Sequence, residues 1–108
     1  MTAKRVVPRT QALQDVEQAT EWYRDQAGEN VAIGFIDAAQ AASRSIGANP
    51  AIGSPRYAHE LNLPGLRSRR LRRYPYLVFY IERDDHVDLW RVLHAQRDIP
   101  ASMREGDG

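Results

Sequence analysis

The period of the apolar positions changes along this chain and divides it into elements. Residues 4–7 are short and β-leaning, and Pro8 stops them, which predicts an N-terminal strand. From residue 10 the period becomes helical. Leu13, Val16, Ala19, Thr20 and Tyr23 recur at three- and four-residue spacing, so they share one face of a helix that Thr10 is placed to cap and Gly28 to end. Asp15, Glu17 and Glu21 fall on its other faces, in the N-terminal half where the helix dipole favours acids. A second helical stripe of Val31 or Ala32, Phe35, Ala39, Ala42 and Ile46 follows, with Asn30 as its cap and Gly47 and Asn49-Pro50 as its stop. Its many alanines favour helix and let a neighbour approach closely. So short a link implies an antiparallel helical hairpin.

Residues 48–64 hold Pro50, Pro55, Pro64 and Gly53 and read as a loop. The period then becomes two. Strands are expected over 66–72, 76–83 and 86–94, with Pro75 near the first turn and Asp84-Asp85 forming the second. Leu77, Phe79 and Ile81 face one way along the middle strand, and Val78 and Tyr80 the other. Along the last strand Val87, Leu89 and Leu93 oppose Trp90 and Val92. Both faces are apolar, whereas a sheet wetted on one side alternates cleanly. The hairpin covers one face, and a partner chain is expected over part of the other, with Leu77, Phe79, Ile81 and Trp90 as its contacts. Asp98 with Ile99-Pro100 predicts a capped last helical turn to about Arg104, and a frayed tail from 105 to 108. The expected fold is α+β: an N-terminal strand, a helical hairpin on a small antiparallel sheet, and a short C-terminal helical turn, in one domain spanning 1–108.

Net charge is only +1, but the charges are segregated. Residues 15–37 carry six acids against Arg24, whereas residues 56–73 carry six arginines against Glu60. Fourteen of the fifteen basic residues are arginine, the side chain suited to planar pairing with phosphate or carboxylate. Arg67, Arg69, Arg70, Arg72 and Arg73 together read as a target-binding patch for an anionic partner, as charges that keep an edge strand from aggregating, or as partners of the acidic first helix. The absence of cysteine excludes disulfides, thiolate metal sites and a thiol nucleophile. His59, His86 and His94 are scattered, so no metal site is expected, and no glycine-rich phosphate loop or other cofactor motif is present. No apolar run approaches the roughly 20 residues of a membrane span, and no signal-peptide core is seen, so the expected compartment is the cytoplasm.

The end of the last strand offers the remaining candidate chemistry. A neutral His94 beside Arg97 and Arg91 is what a metal-independent ribonuclease needs: a proton shuttle next to a phosphate clamp. The alternatives are structural. Asp98 caps the final turn, His94 bonds to backbone at a strand end, and Arg91, within an apolar strand, pairs with an acid of the first helix.

Two stretches carry a resemblance to a known family. Val78-Phe79-Tyr80, the short Asp turn, and the run Arg91-Val92-Leu93-His94-Ala95-Gln96-Arg97-Asp98-Ile99 resemble the C-terminal signature of the RelE/ParE superfamily of bacterial type II toxins, closer to its ParE branch. Asn49-Pro50 with Gly53 is similar to that family's connection into the sheet, and the likeness runs from about Arg5 to Met103. The resemblance implies a toxin neutralised by a cognate antitoxin, reaching operator DNA only through that antitoxin. ParE-like members inhibit DNA gyrase and bring no established catalytic residues. RelE-like members cleave messenger RNA on the ribosome with basic residues across the sheet, for which Arg91, His94 and Arg97 are the counterparts here. A third reading is a module that binds antitoxin without toxicity.

Overall fold

The computed structural model describes residues 3–105. Strand β1 (Arg5–Pro8) leads into α1 (Thr10–Ala27) and α2 (Glu29–Ala48). A 3₁₀ turn (Pro50–Ile52) and the short α3 (Arg56–Glu60) follow. Strands β2 (Leu66–Arg70), β3 (Tyr76–Glu82) and β4 (His86–His94) then form the sheet, and α4 (Ile99–Glu105) closes the chain. The sheet order is β1-β4-β3-β2. β2, β3 and β4 are antiparallel, but β1 lies parallel to β4, with Arg5 opposite His86 and Pro8 opposite Leu89. β1 makes the sheet mixed rather than antiparallel throughout: the chain leaves it through the helical hairpin, crosses to β2 at the far edge, and returns through β3 to β4, which lies parallel to β1.

Gly28 alone separates the two helices. Its φ of +97° suits a residue without a side chain, and its N–H reaches back to the carbonyls of Tyr23 and Arg24. The expected caps are displaced: Arg9 and Gly28 occupy the cap positions, while Thr10 and Asn30 lie inside the helices. Phe35, Ile46, Ala32 and Ala42 are buried as the second stripe predicts. The first helix is rotated relative to its predicted stripe. It buries Ala12, Asp15, Ala19 and Thr20, and leaves Leu13 56% exposed.

Two apolar clusters sandwich the sheet. On one side Phe35, Ile46, Tyr80, Val87, Leu89 and Val92 pack beneath the hairpin. On the other, Leu66, Phe79, Ile81 and Leu93 pack against Ile99 and Met103 of α4, with Tyr57, Ala58 and Leu61 of the α3 region alongside. Phe79 is 0% exposed and Ile81 7%, so this chain's own α3 and α4 cover the face for which a partner was expected. The segment read as a loop supplies that cover. In β4 the alternation slips, because Arg91 pairs with Phe79 while Leu89 pairs with Tyr80, leaving Trp90 as an extra bulged residue. Val92 consequently joins Leu89 beneath the hairpin, and Leu93 joins Trp90 on the opposite side. The expected frayed tail falls, past α4, outside the described residues.

Candidate functional site

Past Leu89 the outer edge of β4 has no strand beside it, since β1 pairs only with 86–89. The N-terminal half of α1 takes that place. Asp15, buried, accepts the Val92 N–H at 3.0 Å and both Nε and Nη2 of Arg91 at 2.8 and 2.9 Å. Arg91 also donates through Nη1 to the Ser102 carbonyl in α4. One ion pair thus ties α1, β4 and α4 together. Asp15, counted among the acids of the exposed faces, is the partner that Arg91 needs.

This arrangement separates the three residues of the nuclease reading. Arg91 is 4% exposed and enclosed by Asp15 and α4. His94 lies half-buried, edge-on to Tyr76 at 5.1 Å, and its Nδ1 accepts the Gln96 N–H at 3.1 Å. Arg97 is exposed, and its charge opposes the burial that raises the Tyr76 hydroxyl above its ordinary range. Asp98 accepts the Ala101 N–H at 3.2 Å and its carbonyl accepts from Ser102, the cap expected of it. No open site contains Arg91, His94 and Arg97 together.

The arginine run divides as well. Arg67 donates to the Gly53 carbonyl at 2.7 Å and belongs to the loop anchor built around Tyr80. The Tyr80 hydroxyl accepts the Gly53 N–H at 2.9 Å and donates to the Pro50 carbonyl at 2.7 Å, and burial raises it above the ordinary phenol range. β2 ends at Arg70, so Arg72 and Arg73 stand in the turn and have no strand face, unlike the alternation expected of 66–72. Arg70, Arg72 and Arg73 are exposed, and none has an ionic or hydrogen-bonding partner among the described residues.

Of the four residues expected to meet a partner, Phe79 and Ile81 are buried, while Leu77 and Trp90 keep some open surface. Trp90 sits in a polar lattice. Arg9 stacks on its ring at 3.9 Å, and its Nε1 donates to Asp88, which also binds Arg9 and Arg83 at 3.0 Å each. Burial raises the Asp88 pKa, but these hydrogen bonds outweigh it and hold the carboxyl below its usual range.

An open apolar cleft lies elsewhere, between the helices. Near Gly28 the hairpin is wedged full by Tyr23, Phe35, Tyr74 and Tyr76, whose ring centroids lie 5.1–6.1 Å apart. Toward the other end the facing residues are small, among them Ala12, Ala39 and Ser43. They leave a cleft of about 710 Å³ floored by Val78, Leu89 and Val92 of the sheet. Glu17, Glu21 and Arg24 rim it from α1, and Gln40 and Arg44 from α2. Sequence reasoning missed this cleft. The available signal was the pairing of a bulky Leu13 with an alanine- and serine-rich partner helix, too little volume to close the gap.

A helical hairpin on one face of a four-stranded mixed sheet, with short helices on the other, is the architecture of a known structure. A chain of the chromosomal ParDE toxin–antitoxin system from P. aeruginosa matches with a TM-score of 0.73 at 15% identity, over 87% of this chain and 98% of that one. At that identity the likeness is one of fold. No curated protein matches the sequence. The family model for the ParE toxin of the type II toxin–antitoxin system parDE matches residues 6–99, and the chain belongs to that family. It is a type II toxin.

Proposed function

We propose that this toxin acts in the cytoplasm by inhibiting DNA gyrase, and that a cognate antitoxin neutralises it by seating an apolar segment in the cleft between α1 and α2. The family match over residues 6–99 carries the reading. The burial of Arg91 against Asp15 and the Ser102 carbonyl favours a binding inhibitor over a RelE-type nuclease. The cleft suits an amphipathic antitoxin segment because it offers an apolar floor between two charged rims, with Glu17, Glu21 and Arg24 on one and Arg44 on the other. Operator DNA is reached through the antitoxin.

A supercoiling assay with purified gyrase tests the proposal. Inhibition that is reversed by stoichiometric antitoxin is the expected result. Unimpaired supercoiling, together with cleavage of messenger RNA on programmed ribosomes, would overturn it in favour of the nuclease. Expression without any growth arrest would point to the non-toxic antitoxin-binding module.

A further inference from the structure

We propose that Arg70, Arg72 and Arg73, at the β2–β3 end of the sheet, grip the phosphate backbone of duplex DNA; the choice of DNA rests on the gyrase reading above, since that enzyme works on a DNA segment.

Four arginines elsewhere in the fold meet carboxylates: Arg9 and Arg83 bind Asp88, Arg24 binds Glu29, and Arg91 binds Asp15. In the strands at this end there are none to meet, since no acid occurs between Leu61 and Ile81 or between Leu89 and Arg97; the hairpin end that packs against Tyr74 carries Asp25 and Glu29, and neither pairs with these arginines among the described residues. The opposite end of the sheet, at the β3–β4 turn, differs in mixing both signs, with Glu82, Asp84 and Asp85 beside Lys4, Arg5 and Arg83.

The turn that displays the arginines is held rigidly. Leu71 on one side is buried, and its N–H bonds to the Tyr76 carbonyl. Tyr74 on the other side donates its hydroxyl to the Val31 carbonyl at 2.8 Å, and Ala95 N–H bonds to the Pro75 carbonyl. Only Arg72 and Arg73 stand free between these anchors. Arg73 has φ +70°, a left-handed conformation that costs a bulky residue about 1 kcal/mol or more where glycine would fit without strain. Strain kept at an exposed arginine is a reason to look for function there. Three forked guanidiniums within about 11 Å of chain suit neighbouring phosphates of one strand. An acidic protein would need its carboxylates matched to a strained turn, whereas a DNA strand repeats its charge about every 3.4 Å and meets the turn in any register.

The test is fluorescence anisotropy of a short labelled DNA duplex across a salt series, using toxin released from its antitoxin. Wild type is expected to lose affinity with a log–log slope of about −2.7, as three phosphate contacts give. The variant R70A/R72A/R73A is expected to lose about tenfold or more at low salt and most of that slope. A matched variant, R5A/R56A/R104A, removes the same charge elsewhere and should stay within about twofold of wild type. Thermal unfolding of each variant keeps folding loss apart from binding loss. Equal losses in both triple variants, no binding by wild type, or an arginine-dependent preference for single-stranded RNA would each overturn the proposal. So would loss of antitoxin binding in R70A/R72A/R73A with DNA binding intact. Gyrase inhibition separates the two readings: if wild type and R70A/R72A/R73A inhibit equally, the DNA grip falls and the gyrase reading stands. If wild type does not inhibit gyrase, the gyrase reading itself falls.

Discussion

Asp15 and Arg91, 76 positions apart, form a buried bidentate ion pair in which one carboxylate oxygen also holds the Val92 N–H at the unpaired edge of β4. Both side chains are about 95% buried, so breaking the pair leaves a desolvated charge without a partner. Asp15→Ala should lower unfolding free energy by about 3–5 kcal/mol. Asp15→Ala with Arg91→Met should recover much of that loss, because no charge is then stranded. Urea unfolding measures both. A single-variant loss under about 1 kcal/mol would show that the pair does not hold α1 to the sheet.

Tyr80 and Gly53 bear on each other in the same way. Tyr80→Phe removes the hydroxyl that satisfies the Gly53 N–H and the Pro50 carbonyl in the interior, at a cost of about 1–3 kcal/mol. A Cβ added at Gly53 would lie within 2.4 Å of that hydroxyl and 3.0 Å of the Ser68 carbonyl. Gly53→Ala should therefore destabilise as well, and the double variant should cost less than the sum, since the phenol that the methyl strikes is gone. Additive losses in denaturant unfolding would contradict the shared contact.

These two pairs also show how far the sequence could be read. The stripe that buries Phe35 and Ile46 is regular, and β3 is an unbroken apolar run, so both elements were visible. The need of Arg91 for an acid on the first helix was visible too. Which acid was not: α1 turns Asp15 inward and Leu13 toward the cleft, a rotation decided by the long-range bond to β4 rather than by local period. The Trp90 bulge involves no glycine or proline and left no mark on the pattern. The five-residue α3 is too short for periodicity to declare, so the pattern assigns the cover over Phe79 and Ile81 to a partner when the chain itself provides it.

Asp88 predicts a pH dependence. Hydrogen bonds from Arg9, Arg83 and Trp90 outweigh its burial, so its folded pKa lies below the unfolded one. The stabilisation it supplies is then fully present above the unfolded value of about 3.9 and disappears as pH falls through the lower folded value. Asp88→Asn should cost about 1 kcal/mol at neutral pH, because both arginines are partly exposed and solvent screens them. The gap between wild type and variant should close as pH drops below about 4. A gap constant down to acid would mean that the charge on Asp88 contributes nothing.

The cleft and the opposite face make competing claims on the antitoxin. Leu13 is more than half exposed at the cleft, whereas Leu77 keeps only part of its surface open on the α3 and α4 side. If the antitoxin fills the cleft, Leu13→Asp should weaken its binding by tenfold or more, about 1.4 kcal/mol, with little change in thermal stability. Leu77→Asp should leave that affinity nearly unchanged. Calorimetric titration with antitoxin decides, and the reverse ranking would move the antitoxin to the Leu77 and Trp90 face.

His94 and Arg97 carry the last prediction. A nuclease built on them would lose a general acid–base and a phosphate clamp on substitution, and activity would fall by about 100-fold or more. In the structure His94 serves the fold instead. Its Nδ1 secures the Gln96 N–H at the start of the turn into α4, and its ring packs on Tyr76. His94→Gln keeps an acceptor and much of that packing. Expressed without antitoxin, it should arrest growth as wild type does and lose only modest stability, and Arg97→Ala should behave alike. Abolished arrest in both variants with melting temperatures unchanged, together with messenger RNA cleavage by wild type that both variants lose, would return the nuclease reading to first place, because loss of arrest alone would also follow from a lost gyrase contact.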